Sequence, residues 1–243
     1  MAGHSRWAQI RHKKAGTDAK RGALFSKLAR PIALAARDGG GDPALNPKLR
    51  QAMEQAREAG MPKENIERAI LRGSGGGEAA NLSSVEYEAY GPGGSAFLIA
   101  GLTDNPNRTT NEIKNILDKF GGRLAEAGSV AWLFRRAVVF EFDLPAASSA
   151  EVLELALIDA GAIDTEASRD TLRVLVAPES SEAFQKHIAS RGLVARRQYL
   201  AAIPQNPLAL DPAIRSRVEA LREALDEDPD VTDIWTTVAN AAV

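Results

Sequence analysis

The sequence predicts an α+β fold in which an N-terminal helical bundle is followed by two sheet-containing domains. Up to residue 73, apolar side chains recur about every four positions, as in amphipathic helices. Beyond a glycine-rich stretch at 73–77 they alternate with polar side chains, as in half-buried strands. The chain has 243 residues, 44% of them hydrophobic, which is enough for one large domain or two to three small ones.

The first helix of the bundle is predicted between Thr17, a favoured N-cap residue, and the glycines at 39–41. Proline has no backbone N–H group, and its ring clashes with the preceding helical turn. Pro31 therefore predicts a kink or a break in this helix near Ala29 and Arg30.

Two further helices are predicted to complete a three-helix bundle. Each has a proline in its first turn and a glycine at its end, from Pro47 to Gly60 and from Pro62 to Gly73. The segment "GSGGG" at 73–77 then follows a helix rather than a strand and has no Lys-Ser or Lys-Thr pair. It is interpreted as a flexible linker rather than a phosphate-binding loop.

A β-hairpin is predicted next, because "SVEYEAY" and "SAFLIAGL" flank the turn "GPGG". A helix beginning at Asn107 follows and is ended by Gly121 and Gly122. The short apolar segment "GSVAWLF" at 128–134 predicts a further strand.

Residues 137–203 have the order strand, helix, strand, strand, helix, strand, which is typical of the ferredoxin-like fold. A helix and the strand "VTDIWTTVAN" follow, and both need a sheet to join. The predicted domains are a helical domain at 1–78, a discontinuous α+β domain at 79–136 plus 204–243, and a βαββαβ domain inserted at 137–203.

Charge is unevenly distributed along the chain. The formal net charge is −2, but residues 1–40 carry +7 and residues 79–243 carry −9. A basic terminal segment before an acidic remainder is typical of a nucleic-acid partner, although a solvated basic helix face is the alternative. We find neither an export signal nor an apolar run long enough for a membrane helix, so a cytoplasmic protein without a membrane partner is expected.

Groups that commonly catalyse reactions are scarce in the sequence. It has no cysteine, which excludes disulfides and thiolate chemistry. His4 and His12 lack metal-ligand spacing, His187 stands alone, and no serine lies in a nucleophile-elbow pattern. We therefore expect no enzyme activity, no cofactor, no metal and no small-molecule substrate.

Several long motifs occur in order along nearly the whole chain, namely "MAGHSRWAQIRHKKAGTDAKRGALFSKL", "GDPALNPKLRQAMEQAREAGMPKENIERAI", "YEAYGPGG", "TDNPNRT" and "GSVAWLF". Together they closely resemble the YebC family, whose mitochondrial relatives include the translational activator of cytochrome c oxidase. The resemblance implies a three-domain crescent with one α+β domain inserted in another. Pro31 departs from the helix-forming residue expected in relatives.

The resemblance also implies a nucleic-acid-binding regulator of gene expression. Bacterial members are described as DNA-binding transcriptional regulators, and other members act as translation factors on the ribosome. The expected partner is thus DNA, with ribosomal or transfer RNA as the alternative, bound by a monomer. Basic side chains that could contact the phosphates of either polymer are Arg6, Arg11, His12, Lys13, Lys14, Lys20, Arg21 and Lys27.

Two further features have open interpretations. Trp7 could stack on an unpaired base, which would favour RNA, or it could anchor the N-terminal segment to the bundle. In "TDNPNRT", Asn105, Asn107 and Arg108 stand with Asp104 at a strand-to-helix junction, where polar groups can bind a phosphate. The two asparagines could equally be turn and cap residues.

Overall fold

The structure is a computed structural model that describes residues 18–75, 81–144, 150–168 and 170–239. Its α+β class agrees with the sequence prediction. In chain order, the helices and strands are α1 (Asp18–Gly39), α2 (Pro47–Glu58), α3 (Lys63–Ser74), β1 (Ser83–Tyr90), β2 (Ala96–Thr103), α4 (Pro106–Lys119), β3 (Arg123–Ala125), β4 (Phe134–Asp143), α5 (Ala150–Asp159), β5 (Asp164–Ala167), β6 (Thr171–Val176), α6 (Ser181–Ser190), β7 (Arg197–Pro204), α7 (Pro212–Glu227) and β8 (Val231–Thr236).

These elements form two compact units. The larger unit contains the described residues up to Trp132 together with 208–238, and the smaller is built on 133–207. The three domain limits expected from the sequence stay a prediction. No helix in the described ranges is long and apolar enough to cross a membrane.

The larger unit begins with the helices α1 to α3, whose apolar faces share one core. Asn46 caps α2, because its side chain accepts the Leu49 N–H group at 3.1 Å while its own amide donates to the Ala35 carbonyl at 2.7 Å. The buried residues of this core are Leu28, Ile32, Ala35, Ala36, Leu49, Ala52, Met53, Ala56, Met61, Ile66 and Ala69.

The predicted break at Pro31 is wrong, because α1 continues through this residue to Gly39, while the predicted kink stays a prediction. A proline costs one backbone hydrogen bond, but packing on both sides of Pro31 offsets that loss. Leu28 and Ile32 are buried in the core of the bundle. Arg30 lies on the same turn and donates hydrogen bonds to the carbonyls of Leu102 and Pro229, in the sheet region of the larger unit.

The predicted linker at 73–77 is also wrong in its first residues. Gly73 and Ser74 belong to α3, and Gly73 is buried against α1. A Cβ atom at Gly73 would lie 2.2 Å from the Ala33 carbonyl oxygen and 2.8 Å from the Ala36 Cβ. The glycine therefore allows close helix packing, and residues 76–77 lie outside the described residues.

The sheet of the larger unit has the strand order β3-β1-β2-β8, with antiparallel neighbours. The predicted hairpin is confirmed as β1 and β2, and β8 pairs with β2 as the other edge. Helices α4 and α7 pack on this sheet through the buried residues Ala89, Phe97, Ile99, Ile113, Leu117, Val218, Leu221, Leu225, Val231, Ile234 and Val238.

The smaller unit confirms the βαββαβ prediction. Its antiparallel sheet has the order β5-β6-β4-β7, which is the ferredoxin-like arrangement. Phe140 and Phe184 contact each other in its core, with ring centroids 4.8 Å apart. Helices α5 and α6 contribute Leu157, Phe184 and Ile188 to that core.

The prediction of a strand at 128–134 is wrong for all but Phe134, which begins β4. Residues 131–133 form a short 3-10 helix instead, because the carboxylate of Glu88 bonds the backbone of this segment. It accepts the N–H groups of Gly128, Val130 and Ala131 at 2.5, 2.6 and 2.8 Å. Burial alone would raise the pKa of Glu88, but these three N–H groups lower it below its ordinary value.

We expect Glu88→Gln to destabilise the protein by about 2 kcal/mol, because an amide NH₂ replaces one accepting oxygen beside the backbone N–H groups. Hydrogen exchange at Gly128, Val130 and Ala131 should become faster. Glu126→Gln changes an exposed residue of the same loop and is the matched control. Unchanged protection in Glu88→Gln would show that the loop holds without the carboxylate.

Candidate nucleic-acid interface

Most of the predicted phosphate-binding residues lie at the start of the chain. Arg6, Trp7, Arg11, His12, Lys13 and Lys14 are outside the described residues. Lys20 lies in α1, and Arg21 is exposed on the next residue of that helix. For these residues a contact with nucleic acid stays a prediction.

Lys27 has a contact inside the protein. It is only 6% exposed, and its Nζ donates to the carbonyl of Asp226, at the end of α7. The same ammonium lies 3.9 Å from the Asp226 carboxylate. Lys27 therefore joins α1 to α7, and we leave it out of the proposed interface.

The strand-to-helix junction is built as a helix cap. The side chain of Asn105 accepts the Arg108 N–H group at 3.2 Å, and Pro106 occupies the first position of α4. Asn107 is exposed in the first turn. The capping interpretation thus holds for Asn105. For Asn107 and the side chain of Arg108, phosphate binding stays a prediction.

Asp230, which the sequence analysis did not select, is the centre of this junction. It is fully buried immediately before β8, and Arg108 Nη2 donates to its Oδ2 at 2.7 Å. The hydroxyl oxygens of Thr103 and Thr109 lie 3.0 and 2.6 Å from the same oxygen. Arg30 of α1 donates to the other oxygen. One carboxylate therefore holds α1, β2 and α4 together.

The two arginines differ in what else they contact. Arg30 also donates to the carbonyls of Leu102 and Pro229, at 3.1 and 2.6 Å. Arg108 is 41% exposed and also donates to Asp104 at 2.9 Å. The guanidinium of Arg30 thus donates to three acceptors of the protein, whereas that of Arg108 is more exposed to solvent.

These contacts set the protonation of Asp230. Burial alone would raise its pKa, but hydrogen bonds from Thr109, Arg108 and Arg30 outweigh burial and lower the pKa to about 2. The hydrogen bond to Asp230 in turn raises the pKa of Arg108 above its usual range. Both groups are charged at neutral pH.

Glu112 and Asp228 bring further carboxylate oxygens near Asp230, all within 4.8 Å of one another. Two guanidinium groups lie among them, since Arg108 Nε is 3.8 Å from Glu112 and Arg30 pairs with Asp230. The arrangement is that of an ion-pair cluster rather than an open cation site.

A groove of about 530 Å³ lies beside this cluster. One wall is α1 and the other is α3, with Asp104 at the end. Its described lining residues are Gly22, Phe25, Ser26, Ala29, Arg30, Ala33, Met61, Asn65, Arg68, Ala69, Arg72, Leu82 and Asp104. The sequence analysis did not select Arg68 and Arg72, although their spacing of four on a predicted helix places both on one face.

Comparison with known proteins covers almost the whole chain. Residues 5–76 match the TACO1/YebC protein N-terminal domain, and residues 82–238 match the TACO1/YebC second and third domain. A "Probable transcriptional regulatory protein" of Fervidobacterium nodosum is 44% identical over 235 residues, which are 97% of this chain and 92% of the relative.

Further relatives agree with this match. A protein of the same name from Dictyoglomus turgidum is 42% identical, over 95% of this chain and 93% of the relative. The crystal structure of a conserved hypothetical protein from Aquifex aeolicus has a TM-score of 0.80 and 39% identity, and the match covers 97% of both chains. The chain therefore belongs to the TACO1/YebC family.

Proposed function

We propose that this protein is a nucleic-acid-binding regulator of gene expression, with DNA as its target in transcriptional control. The observation that carries the proposal is the basic start of the chain, where residues 1–21 hold six lysines and arginines against one aspartate in a chain whose total charge is −2. Such a segment gains affinity for any nucleic acid, because its basic side chains release the counterions that are condensed on the phosphates. The names of the relatives from Fervidobacterium and Dictyoglomus support a regulatory role.

RNA of the ribosome is the second candidate target, and Trp7 favours it. An indole ring between basic side chains suits stacking on an unpaired base, which ribosomal and transfer RNA offer and a DNA duplex does not. For either target, we propose that the protein acts as a cytoplasmic monomer that binds and positions its partner without catalysing a reaction.

Changing Lys13 and Lys14 to alanine tests the electrostatic contribution. We expect weaker binding to nucleic acid and a flatter salt dependence, because each lost phosphate contact removes roughly 0.7 to 0.9 from the log–log slope. Fluorescence anisotropy across a salt series should be measured on duplex DNA and on structured RNA with unpaired bases. Lys114→Ala with Lys119→Ala removes two exposed charges from α4 and is the matched control.

The outcomes separate the proposals. If the wild-type protein binds neither polymer, the proposed function is wrong. If binding persists with an unchanged slope in the Lys13 and Lys14 variant, this segment is not the interface. In Trp7→Ala, a loss confined to the RNA favours the ribosomal target, and an equal loss on duplex DNA favours the transcriptional target.

A further inference from the structure

We propose that the groove between α1 and α3 binds a single unpaired nucleotide of a nucleic-acid strand, with its phosphate on Arg68 and Arg72. The inference rests on the proposed function and specifies the form of nucleic acid that the larger unit recognises. It concerns a second surface, separate in sequence from the basic residues at 6–14.

The charge of the groove is unbalanced. Arg68 and Arg72 stand four residues apart on α3, where two like charges repel each other. Arg68 donates to the neutral side chain of Asn65 at 2.6 Å, and neither arginine forms an ion pair with a described residue. An anion between the two guanidinium groups would remove the repulsion and accept hydrogen bonds from both.

The other charged residues of the groove already have partners. Arg30 is paired with Asp230, and Asp104 accepts from Arg108. The net positive charge that faces a ligand therefore comes from the two arginines of α3. Residues 1–17 of this chain contain no carboxylate and several basic side chains, so charge disfavours them as the occupant.

Apolar side chains line part of the groove. Phe25 is partly buried and contributes an aromatic ring, while Met61 and Leu82 contribute aliphatic surface. Proteins that bind unstacked bases commonly stack them on aromatic rings or on arginine guanidinium groups, and this groove has both kinds of side chain. Ser26 and Asn65 supply polar atoms at the edge of this surface.

The groove is large enough for one nucleotide. Its volume of about 530 Å³ is within the range of small-molecule sites. A base inside a duplex has both faces covered by its neighbours and could not lie against Phe25, so the groove selects an unpaired base. A phosphate and an exposed base are the two features that a single strand presents together.

The test compares the wild-type full chain with a double variant that carries both Arg68→Gln and Arg72→Gln. Three probes are labelled with fluorescein: a ten-nucleotide single-stranded RNA, a single-stranded DNA of the same sequence, and a duplex of that DNA with its complement. The fourth probe is free adenosine monophosphate. We expect the double variant to lose about tenfold or more in affinity for the single strands and little for the duplex. Arg50→Gln with Arg57→Gln on α2 removes the same charge elsewhere and should bind like the wild type.

Phe25→Leu tests the base-binding surface with the basic side chains intact. Loss of stacking should lower single-strand affinity at least fivefold. The thermal midpoints of all variants should be compared, and Arg68 and Arg72 are exposed, so their replacement should leave folding intact.

Single-strand affinity that is unchanged in either variant would overturn the inference. Adenosine monophosphate that binds as tightly as the single strands would assign the groove to a free nucleotide and would also overturn it. If the wild-type protein binds duplex DNA but no single strand, this inference fails while the proposed function stands. A wild-type protein that binds no nucleic acid removes both.

Discussion

Replacing Asp230 with alanine is expected to destabilise the protein by about 3 kcal/mol, since removing one partner of a buried ion pair leaves the other uncompensated. Arg30 would lose its carboxylate inside the junction, and the hydroxyls of Thr103 and Thr109 would lose a buried acceptor. Arg108 is partly exposed and would recover solvation, which keeps the loss at the lower end of the usual range.

Urea unfolding at neutral pH measures this loss. Asp118→Asn removes an exposed carboxylate of α4 and should leave the free energy of unfolding nearly unchanged. A loss below about 1 kcal/mol in Asp230→Ala would mean that the junction is held by packing and that the ion pairs are dispensable.

The free energy of unfolding at low pH is a second measurement on the same variant. The pKa of Asp230 is lowered from 3.8 to about 2 by folding, so its ionised form stabilises the folded protein above pH 3.8. That stabilisation is lost as pH falls from about 4 to about 2. The difference between wild type and Asp230→Ala should therefore shrink over this interval, and a difference independent of pH would contradict the lowered pKa.

The second large effect is expected at Gly73. In Gly73→Ala the new methyl group would meet the Ala33 carbonyl oxygen at 2.2 Å, so α1 and α3 must move apart. Overpacking of this kind costs about 1–3 kcal/mol, more than the roughly 1 kcal/mol that alanine gains over glycine within a helix. A lower thermal midpoint is the expected result.

Gly22→Ala is the matched control for this substitution. Gly22 lies in α1, is exposed, and has open space where a Cβ would stand. The same chemical change should raise the thermal midpoint there, because only the helix propensity is altered. If both variants become more stable, the two helices are not in close contact at Gly73.

The sequence predicted those parts of the fold that depend on local pattern. Helix α3 and the hairpin of β1 and β2 have clear periods and clear end signals, and so do the elements of the ferredoxin-like unit. Strand β3 has three residues, too few to show an alternation, and it is held by pairing of Leu124 with Ala89 of β1.

The errors arose where a distant partner decides the conformation. Gly73 reads as part of a flexible run, but the backbone of Ala33 on another helix requires its lack of a side chain. The segment at 128–134 has the composition of a strand, but Glu88 bonds its backbone N–H groups. Asp230 lies in "DEDPDV", where no local pattern marks one carboxylate as buried, and only the folded chain brings Arg30 to it.

The position of β8 has a consequence for protein synthesis. This strand completes the sheet of the larger unit by pairing with β2, yet residues 133–207, on which the smaller unit is built, are encoded between them. During translation, β2 can pair with β1 but must remain without its second neighbour, β8, until residues 231–236 have been made. Strands β4 to β7 can pair among themselves earlier. Asp230 arrives with β8, so the growing chain holds Arg30 and Arg108 without their shared carboxylate until then. The helical segment and the first sheet are thus fastened together late in synthesis, after the smaller unit has had time to fold.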